Sequence, residues 1–191
     1  NKPIITIVQD TLLGVYKLTN SEIIQFPMGA AYHYAKNTNV YKVPEGSQGH
    51  ACVPSCVFTR TQMMNIVSDL STFHGIPPDS DMMIEVGGEP IEMWSGHALL
   101  SFILPDSLNL TMPNGRYDDV NDSQEETEGI KKMLQDHNKT INIVKIVSGM
   151  ITQGTFDKSL FSKTSKGLIH TINNDLGPMR AHQLIDDLQK I

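Results

Sequence analysis

The chain of 191 residues holds only two cysteines, Cys52 and Cys56. Two are too few for a disulfide framework, so a reducing compartment is the default expectation. Basic residues are also scarce: 15 Lys and Arg stand against 21 Asp and Glu, a formal net charge of −6. An isolated nucleic-acid-binding domain normally carries a basic stripe, and this balance does not suggest one. No run approaches the ~20 apolar residues that a membrane span requires, so no membrane partner is expected. The opening residues do not form a secretory signal, because Lys2 is a single charge, Pro3 follows it, and Gln9-Asp10 interrupts the apolar run. The three sequons at Asn109, Asn121 and Asn138 then read as chance matches. There is no G-x-S-x-G, no Walker loop, no H-E-x-x-H and no internal repeat. Spacing alone therefore names no enzyme. The chain begins without Met and in mid-pattern, which suggests a piece of something longer.

A hydrophobic fraction of 39% supports one medium domain with a core, or two small lobes, and a charged fraction of 19% does not indicate disorder. Ile4 to Val8 reads as a short buried strand. Asp10 or Thr11 then caps a helix whose apolar face is Leu12, Val15 and Tyr16. Gly14 costs about 1 kcal/mol against Ala inside such a helix, so close approach of another backbone is expected there. Thr19-Asn20-Ser21-Glu22 matches a capping box and predicts a second short helix. Residues 27–57 are rich in Gly, Pro, Asn and Ser and read as a long inserted loop.

Thr59 and Gln62 form another capping box, and Met63, Ile66, Val67, Leu70 and Phe73 keep helical spacing up to Gly75 and Pro77-Pro78. Met83, Ile84 and Val86 suggest a strand before Gly87-Gly88. Ser95 caps an apolar helix that stops at Pro105, and "LNLTM" alternates as a strand does. The acids of residues 118–128 read as a solvated loop leading toward a short helix at Lys131 to Leu134. "TINIVKIVSGMITQG" is the strongest β signal, two β-branched runs about Ser148-Gly149. "GLIHTINNDLGP" reads as a helix closed by Gly177-Pro178, and the last helix buries Leu184, Ile185 and Leu188. Short strands and helices without a βαβ rhythm indicate an α+β fold.

Few residues offer chemistry. His50, Cys52 and Cys56 are zinc candidates with H-x-C-x3-C spacing, and a fourth ligand would have to come from afar, from His33 or His74. A loop of free thiols is the preferred alternative. The acids at 118–128 lack the spacing of a calcium loop, and His170, beside Leu168 and Ile169, reads as a core or boundary histidine.

Four blocks carry a resemblance: "NKPIITIVQDTLLGVYKLT", "TRTQMMNIV", "WSGHALLSFILP" and "IVSGMITQGTFDKSLFSKTSKGLIHTINNDLGP". In this order they resemble the largest subunit of multisubunit DNA-directed RNA polymerases, of the eukaryotic, archaeal and large-DNA-virus branch. The resemblance implies a single pore-type domain over 1–191, beside the channel through which nucleotides enter and backtracked RNA leaves. It implies that Asn1, Lys2, Gln9 and Asp10 lie near the RNA 3′ end or the pore; for Asp10 the helix-cap reading stays open beside this one. Lys2 would act as a point charge near phosphates. The implied partners are the other polymerase subunits, especially the second-largest, with template DNA and nascent RNA. The implied location is the nucleus or cytoplasm, or a virion for a large DNA virus. Catalytic Mg²⁺ would belong to the intact enzyme and not to this chain, because the family's aspartate cluster is missing and "YDDVND" is not it. The chain departs from the family at His97 and Ala98, where a basic residue and an amide are usual. A non-enzymatic module or split subunit docking on a polymerase is the alternative, and a small zinc protein the remote one.

Overall fold

The computed structural model describes residues 7, 9–25, 31–33, 40–42, 50–86, 89–115, 141–162 and 166–191. The readings made for Ile4 to Val8 (Ile7 apart), Gly87-Gly88, the acidic stretch 118–128 and the helix near 131–134 lie outside these residues, as do Asn1 and Lys2. The described elements are α+β: six helices and three small antiparallel sheets.

The first helix, α1, is Gln9–Thr19. It starts at Gln9, so Asp10 and Thr11 lie in its first turn and do not precede it as caps. The second helix expected at Thr19 to Glu22 is instead strand β1, Ser21–Gln25. Two forces decide this. The Thr19 hydroxyl is already engaged with Val15 and Phe156, and Ile23-Ile24 supply β-branched residues for a ladder. That ladder is antiparallel to β4, His50–Pro54, with Ser21 opposite Pro54 and Gln25 opposite His50.

Residues 27–57 read as loop, but their described parts are strands apart from Ser55 and Cys56. Besides β4 these are β2, Ala31–His33, β3, Val40–Lys42, and β5, Val57–Phe58. Apart from β4, they join β6, Met82–Val86, and β7, Glu89–Ser95, in a five-stranded sheet of order β3-β2-β6-β7-β5.

Helix α2, Arg60–Val67, carries the expected reciprocal cap: Thr59 Oγ1 accepts from Gln62 N–H and Gln62 Oε1 accepts from Thr59 N–H. It ends well short of Phe73. The Ser71 N–H, which a longer helix would direct to a carbonyl one turn back, donates instead to Asp187 Oδ1 at 2.7 Å. Tight turns carry Leu70 and Phe73 onward, and Leu70 still reaches the core.

Helix α3, Gly96–Ile103, begins at the Ser95 cap and is wholly apolar on its buried face, Leu99, Leu100 and Ile103. A three-stranded sheet follows, of order β10-β9-β8, formed by β8, Leu110–Pro113, β9, Ile143–Val147, and β10, Met150–Gln153. In β9, Val144 and Ile146 are buried while Lys145 and Val147 are exposed, the period of two that a half-buried strand requires. The expected hairpin forms about Ser148-Gly149. Helices α4, Lys158–Ser162, α5, Leu168–Leu176, and α6, Pro178–Lys190, close the core. Gly177 takes φ +88° between α5 and α6, and Pro178 opens α6 at its first position.

Gly14 is exposed, and a Cβ built on it would meet nothing within 4 Å, so the close approach expected there is absent from the described structure. The close approach exists one helix away. A Cβ on Gly96 would lie 2.0 Å from the Leu18 carbonyl oxygen and 2.6 Å from its carbon. Two opposite outcomes are therefore expected from the same substitution. Gly14→Ala should stabilise the chain by about 1 kcal/mol through helix propensity. Gly96→Ala should destabilise it by about 3 kcal/mol or more, because backbone has to move. Thermal unfolding of the two variants beside the parent checks both signs.

Candidate functional site at the first helix

Burial divides α1 in two. Val15, Leu18 and Thr19 are buried in its C-terminal half, whereas Gln9, Asp10, Leu13 and Gly14 are exposed. Leu13 is 55% exposed, while Leu12 beside it is half-buried against the core and Ile7, just before the helix, is buried in it. Asp10 sits in the first turn, where a carboxylate opposes the positive end of the helix dipole, and Lys17 sits in the last turn, where an ammonium complements the negative end. Of the four residues the resemblance assigns to the pore, the structure places Gln9 and Asp10 together at this exposed end.

The buried half is held by three polar contacts within two residues of its end. Thr19 Oγ1 donates to the Val15 carbonyl oxygen at 2.8 Å and accepts from the Phe156 N–H at 2.8 Å. Thr155 Oγ1 donates to the Thr19 carbonyl oxygen at 3.3 Å. Phe156 and Thr155 lie 137 and 136 positions along the chain from Thr19. The segment they occupy follows Gly154, whose φ of +98° lets its backbone lie against Ile143 and Val144, where a Cβ would fall 2.4 Å from Val144 Cα.

The start of α3 completes the junction. Asp81, buried, accepts the Ser95 N–H at 2.7 Å on Oδ1 and the Ser95 hydroxyl on Oδ2. Ser95 Oγ in turn accepts the Ala98 N–H at 3.3 Å, and the Gly96 N–H donates to the Cys56 carbonyl oxygen at 3.2 Å. Trp94 Nε1 donates to the Pro78 carbonyl oxygen at 2.9 Å. His97 Nε2 lies 3.0 Å from the Gly154 carbonyl oxygen; a carbonyl only accepts, so that nitrogen carries the proton. His97, a departure from the family pattern, thus ties α3 to the segment that grips Thr19. Ser101 Oγ donates to the His97 carbonyl oxygen and accepts from the Ile151 N–H, which fastens α3 to β10.

The zinc candidates sit elsewhere. His50 and Cys52 lie on β4, with Cys52 opposite Ile23, while His33 lies on β2 in a different sheet. Cys56 follows β4 and is a half-buried free thiol, and His74 is exposed in the turns after α2. Burial pushes the Cys56 thiol up and the Glu22 carboxylate adds to this, while Lys17 lowers it. A thiol held protonated is a poorer metal ligand and nucleophile. Among the described residues no three His, Cys, Asp or Glu side chains converge to hold a metal ion, and no helix is long and apolar enough to cross a membrane.

Thr19, Gly96 and Asp81 were not visible as a unit in the sequence. Ser95 was, as a cap, but the residues that Gly96 and Thr19 meet are remote in the chain. The described residues thus define an α+β domain that fastens the C-terminal end of its first helix. The chain belongs to the family described as RNA polymerase Rpb1, domain 3, whose model matches residues 1–191, and so is a fragment of the largest subunit of an RNA polymerase. The family is part of a nucleotidyltransferase complex and implies association with other polymerase subunits.

Alkylation of Cys56 by iodoacetamide near neutral pH should run slower than that of an unhindered cysteine, because the raised pKa lowers the thiolate fraction. Lys17→Ala should slow it further and Glu22→Gln should speed it. Peptide mapping by mass spectrometry separates Cys56 from Cys52 and checks all three signs.

Proposed function

We propose that this chain forms part of the wall of the polymerase pore, beside the active centre, in DNA-templated RNA synthesis. The match of the family across residues 1–191 is the observation that carries this reading. The arrangement of α1 supports it: one half is buried and fastened, and the other presents Gln9 and Asp10 outward. In this reading Gln9 and Asp10, with Asn1 and Lys2 just before them, border the space taken by the RNA 3′ end. The second-largest subunit, template DNA and nascent RNA are neighbours in the assembled enzyme, which works inside the cell or virion.

The chemistry of nucleotide addition is metal-assisted phosphoryl transfer, in which Mg²⁺ stabilises the attacking and leaving oxygens. The described residues do not fit a Mg²⁺ site, since no three suitable side chains converge. In this reading the chain's role is steric and electrostatic: bounding the channel and limiting where the transcript end can go.

A photoreactive amino acid at Gln9 in the intact polymerase tests the reading. It is expected to crosslink to the 3′-terminal nucleotides of the RNA in stalled or backtracked complexes. Absence of RNA crosslinks in every state, with crosslinks to protein alone, overturns the pore reading and leaves a docking module. A primer-extension assay on the isolated chain with Mg²⁺ is expected to show no nucleotide addition.

A further inference from the structure

We propose that Asn114 is a deamidation site that the fold holds unreactive, so that its conversion records an opening of the junction around it. The inference stands on geometry and does not depend on the pore reading. Asn114-Gly115 is the only Asn-Gly pair in the chain. Glycine offers no Cβ to hinder ring closure, which makes this pair the most reactive setting for an asparagine. In that reaction the Gly115 nitrogen gives up its proton and attacks Asn114 Cγ. The new C–N bond expels Nδ2, which takes the proton and leaves as ammonia, and a succinimide remains. Water then opens the ring to aspartate or isoaspartate, so asparagine and water become an acid and ammonia.

The structure opposes each step. The Gly115 N–H donates to Asp157 Oδ2 at 2.6 Å, so its proton is held, and a carboxylate stands where an amide anion would form. Asn114 Nδ2 donates to the Ile141 carbonyl oxygen at 3.0 Å and to the Thr155 carbonyl oxygen at 3.2 Å. The Asn114 N–H reaches the Asn142 carbonyl oxygen at 2.9 Å. Swinging the side-chain amide toward the Gly115 nitrogen gives up both Nδ2 bonds, in a residue only 6% exposed.

The product fits no better than the reaction. An aspartate at position 114 has no donor for either carbonyl and sets a negative charge against both of them in a buried place. Thr155 also donates its N–H to the Ile141 oxygen at 2.8 Å and its hydroxyl to the Thr19 carbonyl oxygen. Conversion of Asn114 therefore loosens the end of β8, the approach to β9 and the segment that fastens the end of α1 together.

In the test, intact polymerase is held in mildly alkaline buffer beside a synthetic peptide of residues 109–119. Peptide mapping by mass spectrometry follows aspartate and isoaspartate at position 114. The peptide should convert about a hundredfold faster than the polymerase, because three hydrogen bonds of ordinary net strength have to open in the latter. Asp157→Ala releases the Gly115 N–H and should speed conversion in the polymerase about fivefold. Ser159→Ala removes a hydroxyl from the other oxygen of the same carboxylate and should keep the parent rate. In amide exchange on the polymerase, Asn114→Asp should open residues 141–157 more than Asn114→Ala does, although its shape is nearer the parent's.

Conversion in the parent polymerase within about threefold of the peptide's rate overturns the proposal. So does an unchanged rate in Asp157→Ala, or an equal rise in Ser159→Ala. If Asp157→Ala fails to assemble, the exchange order decides: protection of 141–157 in Asn114→Asp equal to or above that in Asn114→Ala overturns the proposal in the same way.

Discussion

The structure turns on a contact that exists because a side chain is missing. Where α3 begins, Gly96 brings its backbone against the carbonyl of Leu18 at the end of α1, at a distance no residue with a Cβ could reach. The start of α3 cannot drift along the sequence to relieve this. Asp81 holds both the N–H and the hydroxyl of Ser95, and Ser95 caps the helix, so the first turn is pinned in register. The Gly96 N–H is used by Cys56, His97 reaches Gly154, and Ser101 reaches Ile151. Thus α1, the segment before β5, and β10 all take their positions from one turn of helix. Buried polar groups in such a cluster contribute little net energy when satisfied and cost about 1–3 kcal/mol each when stranded, so the cluster selects one arrangement more than it deepens the well.

The rest of the core is arranged around that turn. Leu99, Leu100 and Ile103 carry the apolar face of α3 inward, and Arg180 on α6 donates to the Ile103 carbonyl oxygen at 3.2 Å, a cation at the negative end of α3. Asp187 on the same helix takes the Ser71 N–H, four residues past the end of α2. One carboxylate on α6 therefore fastens the turns that follow a helix lying more than half the chain before it.

Legibility followed distance along the chain. The Thr59–Gln62 box, the Ser95 cap, the Ser148-Gly149 turn and the Gly177-Pro178 junction were readable because each cause lies within a few residues of its effect. The reading failed where a remote group competes. Thr19-x-x-Glu22 has the letters of a capping box, yet the Thr19 hydroxyl answers to Phe156, and β4 draws the following residues into a ladder. Gly14 drew attention as the odd residue in α1, and the helix does make a close backbone contact. The glycine that permits it is Gly96, which looked like part of an ordinary cap. The strands within 27–57 were hidden for a different reason. They are short, and single-residue composition averages them with the Gly and Pro between them. As for the site, the resemblance directed attention to Gln9 and Asp10, but nothing local disclosed that the end of their helix is fastened to Thr155 and Phe156.

An acidic residue at the exposed start of α1 has a physical sense. A bare helix N-terminus, with unpaired N–H groups and the positive end of the dipole, is a ready anion site and would retain phosphate. Asp10 in the first turn places a negative charge there and offsets that attraction. On the proposed pore reading, a wall that nucleotides and RNA pass needs such an end, since each tight phosphate contact would slow their passage. On that same proposal, a net charge of −6 is what a lining beside nucleic acid calls for. Binding domains recruit phosphates with an excess of Lys and Arg. A channel lining has the opposite task, to bound a path without holding what moves along it. Acidity argues against autonomous nucleic-acid binding and is consistent with the proposed lining role.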